Sequence, residues 1–373
     1  MTAQPARPAL LVIFGAGASY DSLPVPPRVA VRVRAATDEN KWRPPLASQL
    51  FNLDNRDYAA IAAQFPEAIP RISEANQVAA RGGAIEEKLE EWQLEAETNT
   101  RRFRQLTGIR FYLQELLWHA SVEWIGDASR HTNYLLLADQ LEDWRQRANA
   151  EIAYVTFNYD LMLEDALPHL RLPHFRDSYR DLPNADDYIE DQDTRVFKVH
   201  GSVNWVHELL NSKVPDGFGH AKVRSEIALR MSKMEIGKPI RVLGDPMKPV
   251  YEGKLTSPAL AIPVVTKRAF ECPDEHISAL VQSVGRVQWI LVVGWRGTEE
   301  HFNAILDHHL PHPVDPIRLH VVARNSQSAP GLSKRLAQRW SAKSRRRFRA
   351  SASGGGFAEF LGRSDLRRIL FGH

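Results

Sequence analysis

The chain has 373 residues, 43% hydrophobic and 25% charged, with a formal net charge of +3. That composition is ordinary for a soluble globular protein, and a core of this size needs no disulfide or metal staples. The small net charge is no argument for nucleic acid, and the lone Cys272 excludes a disulfide framework or a four-cysteine zinc module within one chain.

Residues 1–8 carry one arginine and two prolines, and the apolar run at residues 9–14 (ALLVIF) is short of a secretory core or a membrane span. A cytoplasmic location is expected, which a single thiol fits. The run predicts a buried parallel strand entering the turn Gly15-Ala16-Gly17-Ala18-Ser19. Residues 20–48, with Pro24, Pro26, Pro27, Pro44 and Pro45, read as loop. Helical spacing follows from residue 84 to about 125, through Ile85, Leu89, Trp92, Phe103, Leu106, Ile109, Leu113, Leu116 and Leu117, and again over 134–144.

A strand at 152–157 runs out into Asn158-Tyr159-Asp160, and a short one at 196–199 ends in His200-Gly201. Residues 206–256 are polar and read as irregular, and 260–265 as a further strand. Then come a helix at 274–284, a strand at 289–293, a helix from 298 to about 310, a strand at 319–323 and a helix near 332–340. This alternation predicts an α/β, Rossmann-like parallel sheet with helices on both faces. One domain over 1–373 is expected, with a helical insertion at about 70–150, an irregular insertion at about 206–256 and no zinc module.

Ligands of open parallel sheets bind where the strands' carboxyl ends converge. The polar clusters fall at such ends: Gly15–Ser19, Asn158–Asp160, His200, residues 294–298 and Arg324-Asn325. Glycines after a first strand let backbone approach a pyrophosphate, and the following helix start offers N–H groups. Tyr20 stands where a dinucleotide fingerprint needs its third glycine, so an ordinary dehydrogenase signature is absent. A tight strand–helix turn without ligand explains the same residues.

Asn158 and Asp160 fit a turn or helix cap equally well, and a lone His200 fits a structural histidine. Together, an amide, a carboxylate and a histidine suit glycosidic chemistry: the amide orients a water or ribose hydroxyl, the histidine moves a proton, the carboxylate stabilises a cationic ribose. Gly294-Trp295-Arg296-Gly297-Thr298 reads as a close-approach turn with Thr298 capping the next helix, or as a plain glycine turn. Arg324-Asn325 reads as an adenosine ribose contact or a surface loop. His308, His309 and His312 share no helical face across Pro311, and no metal is expected. Residues 334–349, with eight Lys/Arg and no acid, fit a solvated helix face or a contact with an acidic partner or nucleic acid. Glu86, Glu87, Glu90, Glu91, Glu95 and Glu97 read as the exposed side of a long helix.

In order, GAGAS (15–19), TFNYD (156–160), KVHG (198–201), VVGW (292–295) and VVARN (321–325) resemble the sirtuin family across residues 11–325. That family runs from a GAG-S phosphate turn through a T-x-N-x-D strand end to an H-G histidine, and the segment 354–361 reads as a last loop. The resemblance implies that NAD is the substrate and that Gly15, Ala16, Gly17 and Ser19 contact its phosphates and ribose. It implies that Asn158 and Asp160 border the nicotinamide ribose, that His200 is the catalytic base, and that Gly294, Trp295 and Asn325 hold the adenosine end.

Three departures narrow the branch. The four-cysteine zinc module is missing, the G-I-P-D-F-R segment has only Pro24–Pro27 or Arg43-Pro44-Pro45-Leu46 nearby, and Asn158-Tyr159-Asp160 replaces N-I-D. These resemble the zinc-less bacterial sirtuin-like branch of antiphage defence, which implies an NAD hydrolase releasing nicotinamide and ADP-ribose. A protein deacylase and a non-catalytic NAD or ADP-ribose sensor are the alternatives. A homo-oligomer is expected, or a partner such as a ring-forming ATPase or an Argonaute-type protein, contacted through 84–148 or 334–349. Nucleic acid is expected only through 334–349 or the partner, and no membrane contact is expected.

Overall fold

The computed structural model describes residues 7–22, 42–171, 184–213, 217–263, 270–312, 315–342, 346–362 and 366. The readings of Pro24, Pro26, Pro27, residues 264–265 and residues 343–345 lie outside them.

Strand β1 (Ala9–Phe14) is buried at every position, as its unbroken apolar run requires, and turns at Gly15 into the short helix α1 (Ala16–Tyr20). Burying a Val, Leu or Ile side chain contributes about 1.5–3 kcal/mol, so this strand anchors the core. Helices α2 (Arg56–Ala63), α3 (Ile69–Ala80), α4 (Ile85–Thr98), α5 (Thr100–Asp127) and α6 (Asn133–Ala148) follow. The helical stretch expected over 84–125 is two helices, because the Asn99 side chain accepts the N–H groups of Arg101 and Arg102 and caps α5. Asn149 then ends α6 in the left-handed conformation, at φ 48°.

The chain continues through β2 (Glu151–Thr156), α7 (Met162–Ala166), α8 (Asp187–Glu190) and β3 (Thr194–Lys198). Residues that read as irregular form strands β4 (Gly201–Leu210), β5 (Glu235–Val242), β6 (Val250–Tyr251) and β7 (Lys254–Leu260), with α9 (His220–Arg230) between. They make a second, antiparallel sheet in the order β5-β4-β7-β6. Of the strand expected at 260–265, only Leu260 is strand, as the last residue of β7, and residues 261–263 are not. Helix α10 (Asp274–Val284), β8 (Trp289–Val293), α11 (Glu300–His309), β9 (Ile317–Val322), α12 (Ser328–Ala342), β10 (Phe348–Ser353) and α13 (Gly356–Gly362) complete the described chain.

The main sheet runs β10-β9-β8-β1-β2-β3, all parallel. With the second sheet set aside, the order steps outward from β1 on both sides, the doubly wound Rossmann-like order with its switch point beside β1. Alternate side chains take opposite faces. Leu10, Val12 and Phe14 pack into the core that includes α5, α6 and α13, while Leu11 and Ile13 pack with α10, α11 and α12. In register, Phe14 pairs with Thr156 and Val293, Thr156 with Lys198, and Val293 with Val322, so the strand ends lie along one edge. Among the described residues no helix is long and apolar enough to cross a membrane.

Candidate functional site

The first glycine turn is packed onto its neighbour. Gly15 N–H donates to the Val293 carbonyl at 3.0 Å, Gly17 N–H to Gly294 at 3.2 Å, and Ala18 N–H to Gly15 at 2.9 Å. A Cβ on Gly15 would stand 2.7 Å from the Gly294 oxygen, and one on Gly294, at φ +64°, 2.2 Å from the Ala18 nitrogen. The glycines therefore let two turns touch backbone to backbone. Three N–H groups expected for a phosphate are spent inside the fold, and only Ala16 of this turn is exposed. Ser19 departs from its expected place as well. It is buried, and its hydroxyl meets the Tyr134 hydroxyl of α6 at 2.9 Å.

Asn158, 7% exposed, ties that turn to the end of β2. Its amide nitrogen donates to the Gly15 carbonyl at 3.0 Å, the Ser19 hydroxyl at 2.8 Å and the Tyr134 hydroxyl at 3.1 Å. A carbonyl only accepts, so the amide must present nitrogen there, which fixes its flip and leaves Oδ1 to receive a donor. Tyr134 stays a neutral phenol, because burial, and then the Asp160 charge, raise its pKa well above the usual range. Asp160 is also buried, and its Oδ1 accepts the Met162 N–H at 3.2 Å. It thus acts as a turn and helix-start former, whatever else it does.

His200 sits in the sharp turn between β3 and β4, where Gly201 at φ +80° lies so close to Ala259 that a Cβ would meet its oxygen at 2.1 Å. Only glycine permits this reversal. The imidazole is 4% exposed and packs on Phe157, with ring centroids 5.0 Å apart, and on Tyr159 at 6.3 Å. Tyr159 lies between Asn158 and Asp160, so His200 touches the loop that carries both.

At the β8 end the roles differ from expectation. Trp295 is 3% exposed, stacked on Phe157 at 5.2 Å and on Trp340 at 6.4 Å, with its indole N–H given to Glu299. Its ring is core and is not offered to an adenosine. Thr298 does not cap α11; its hydroxyl bonds Glu299, the N-cap residue, at 3.2 Å. Asn325 is exposed, as a ligand contact would be, but its Oδ1 accepts the Gln327 N–H at 2.8 Å in a turn that starts α12. The basic run is not one solvated face either. Arg339 pairs with Glu300 at 2.7 Å, buried Arg346 donates to the Asp307 carbonyl at 2.8 Å, and residues 348–353 are the edge strand β10.

Sequence reading missed a buried ion pair beneath this edge. Lys198, 0% exposed, holds Glu164 at 2.7 Å and donates to the Asp160 backbone carbonyl. The lysine is the first residue of KVHG, but a strand-end lysine gives no signal that it turns inward. It also missed Asp21, whose carboxylate accepts the Phe357 N–H and so clamps α13 to α1. Arg43 lies 3.9 Å from the Tyr20 ring centroid and Arg324 5.6 Å from it, which places two cations by the first turn.

Burial, with Glu271 and Asp274, pushes the Cys272 thiol up to about 12, which keeps it from acting as a thiolate nucleophile. Among the described residues no three His, Cys, Asp or Glu side chains gather to hold a metal ion.

The SIR2-like domain family model matches residues 152–227, the stretch that contains Asn158, Asp160 and His200. No curated protein matches the chain. Solved structures that resemble it include a Sir2 homolog–NAD complex, 13% identical with a TM-score of 0.37 over 97% of this chain and 90% of that one. A Sir2 structure with the inhibitor EX-527, 2'-O-acetyl-ADP-ribose and a deacetylated peptide is 12% identical, with a TM-score of 0.37 over 96% and 93%. Residues 152–227 are thus similar to the SIR2-like domain family.

Proposed function

We propose that this chain binds NAD along the carboxyl edge of its parallel sheet and hydrolyses the nicotinamide–ribose bond, giving nicotinamide and ADP-ribose. The observation that carries the reading is the placement of Asn158: its amide is clamped to the first glycine turn, within a matched SIR2-like segment that also holds Asp160 and His200. Bond cleavage builds oxocarbenium character on the ribose. Asn158 Oδ1 accepts a hydrogen bond from the attacking water or a ribose hydroxyl, and His200 takes the proton that this oxygen loses. Asp160 supplies negative charge beside the cationic ribose. Water adds at the anomeric carbon as nicotinamide leaves with the bonding electron pair.

In this reading NAD's phosphates lie over exposed Ala16, within the field of Arg324 and Arg43, and the loop at Asn325 borders the adenosine. Gly15, Gly17, Ser19, Gly294 and Trp295 build the floor. A free NAD hydrolase is toxic to its host, so we also propose that activity waits on assembly, with further copies or a partner chain, as an effector of antiphage defence. Mass measurement in solution, alone and with products of neighbouring genes, tests this; an inert monomer with every partner contradicts it. The catalytic reading is tested by nicotinamide release from NAD, compared between the intact protein and Asn158→Ala and His200→Ala.

A further inference from the structure

The loop that carries Asn158 and Asp160 hangs by its carbonyls from the segment that carries His200. Lys198 Nζ donates to the Asp160 carbonyl. On the other side of His200, Val203 N–H donates to the Tyr159 carbonyl at 3.0 Å and the Ser202 hydroxyl to the same oxygen at 3.4 Å. Glu164 braces both attachments: its Oε1 takes the Lys198 ammonium at 2.7 Å, the Ser202 hydroxyl at 3.3 Å and the Tyr188 hydroxyl at 3.3 Å.

As a stability device this arrangement is poor. Both charges are fully buried, and Glu164 Oε2 has no partner among the described residues. Desolvating such a pair offsets most of its attraction, and an apolar pair of the same volume often serves a core better. Its geometric effect is specific, since it sets the height of one loop against one turn.

We propose that Lys198, braced by Glu164 and aided by Ser202, is a positioning residue that holds the Asn158–Asp160 loop in register with His200. This rests on the reading of those three residues as the catalytic set. Lys198 touches no reacting atom and acts through the loop's backbone.

The test uses the full chain and two readouts, amide hydrogen exchange of residues 158–163 and NAD cleavage. Lys198→Met keeps the side chain's length and removes its charge and donor. Loss of a hydrogen bond from a charged group should speed exchange at 158–163 about ten- to a hundredfold, with residues 9–14 and 289–293 unchanged. The turnover number should fall by a similar factor, with KM for NAD changed less than about threefold. Glu164→Gln, which keeps an acceptor for Lys198, should show the same pattern more weakly. If Lys198→Met does not fold, Ser202→Ala carries the same exchange measurement. Unchanged exchange at 158–163 overturns the proposal, and so does an equal rise at 9–14, which would make Lys198 a core residue only. An intact protein that never cleaves NAD removes the catalytic reading, while exchange still decides whether Lys198 holds the loop.

Discussion

Gly294 and Gly82 share a left-handed backbone, at φ +64° and +71°, yet a Cβ meets the Ala18 nitrogen at 2.2 Å in one and nothing within 4 Å in the other. Gly82→Ala should therefore lose about 1–2 kcal/mol, the conformational penalty alone. Gly294→Ala should lose about 2–4 kcal/mol, since overpacking adds to it. Chemical denaturation of the two variants checks this, and equal losses would mean that the turn–turn contact is not tight.

Asn158 allows a sharper test. In Asn158→Asp an acceptor replaces the donor that faces the Gly15 carbonyl, so stability at neutral pH should fall by about 1–3 kcal/mol, although the shape is conserved. A denaturation midpoint equal to that of the intact protein would show that the amide nitrogen does not face Gly15. These residues were legible as a set in the sequence, but their directions were not. Spacing placed Ser19 and Trp295 at strand ends; whether a side chain there turns to solvent or to the core depends on what α6 and α12 bring against it.

The elements that sequence identified well are those with one dominant signal. The continuous apolar runs of β1 and β8 and the amphipathic α10 were read to the residue, because burial on both faces or along one stripe leaves few alternatives. Strands β4 to β7 were missed for want of one dominant signal: buried β4 and β7 carry Ser202, Asn204, Glu208, Thr256 and Ser257 among their apolar residues, and the largely exposed edge strand β5 carries Glu235, Lys238, Pro239 and Arg241, which resembles loop composition. The edge strand β10, with exposed Arg349 and Ala350, was hidden for the same reason.

Helix α10 meets that second sheet through His276, whose ring contacts Tyr188 and Trp205 and whose Nε2 reaches the Ala185 carbonyl at 2.8 Å. The carbonyl only accepts, so Nε2 carries the proton, and buried Nδ1 has no partner among the described residues for a second one. Burial thus pulls its pKa below 6.5. A base with a lowered folded pKa contributes stability that is present above 6.5 and lost as pH falls through the folded value. Between about pH 7 and 5 the thermal midpoint of the intact protein should fall more steeply than that of His276→Gln, which is neutral throughout. Parallel curves would show that His276 does not titrate in this window.

At the scale of the whole molecule, the strand order is what turns scattered motifs into one edge. GAGAS, TFNYD, KVHG, VVGW and VVARN are separated by up to 136 residues between neighbours, the stretch from Ser19 to Thr156 (residues 20–155), yet their strands lie side by side around β1. The order of motifs was readable because each follows an apolar run. The struts beneath them, Lys198 with Glu164 and Asp21 with α13, were not, since long-range polar pairs leave no periodic trace.

The reaction proposed for this edge is cleavage of NAD. The direct measurement is nicotinamide release from NAD by the purified protein, alone and with products of neighbouring genes, beside Asn158→Ala and His200→Ala. The intact protein should release nicotinamide under at least one of these conditions, with release reduced about a hundredfold or more in each variant, the scale expected when a positioned proton-transfer group is removed. Release that persists at the intact rate in both variants, or an intact protein that binds NAD without cleaving it under every condition, would contradict the proposal.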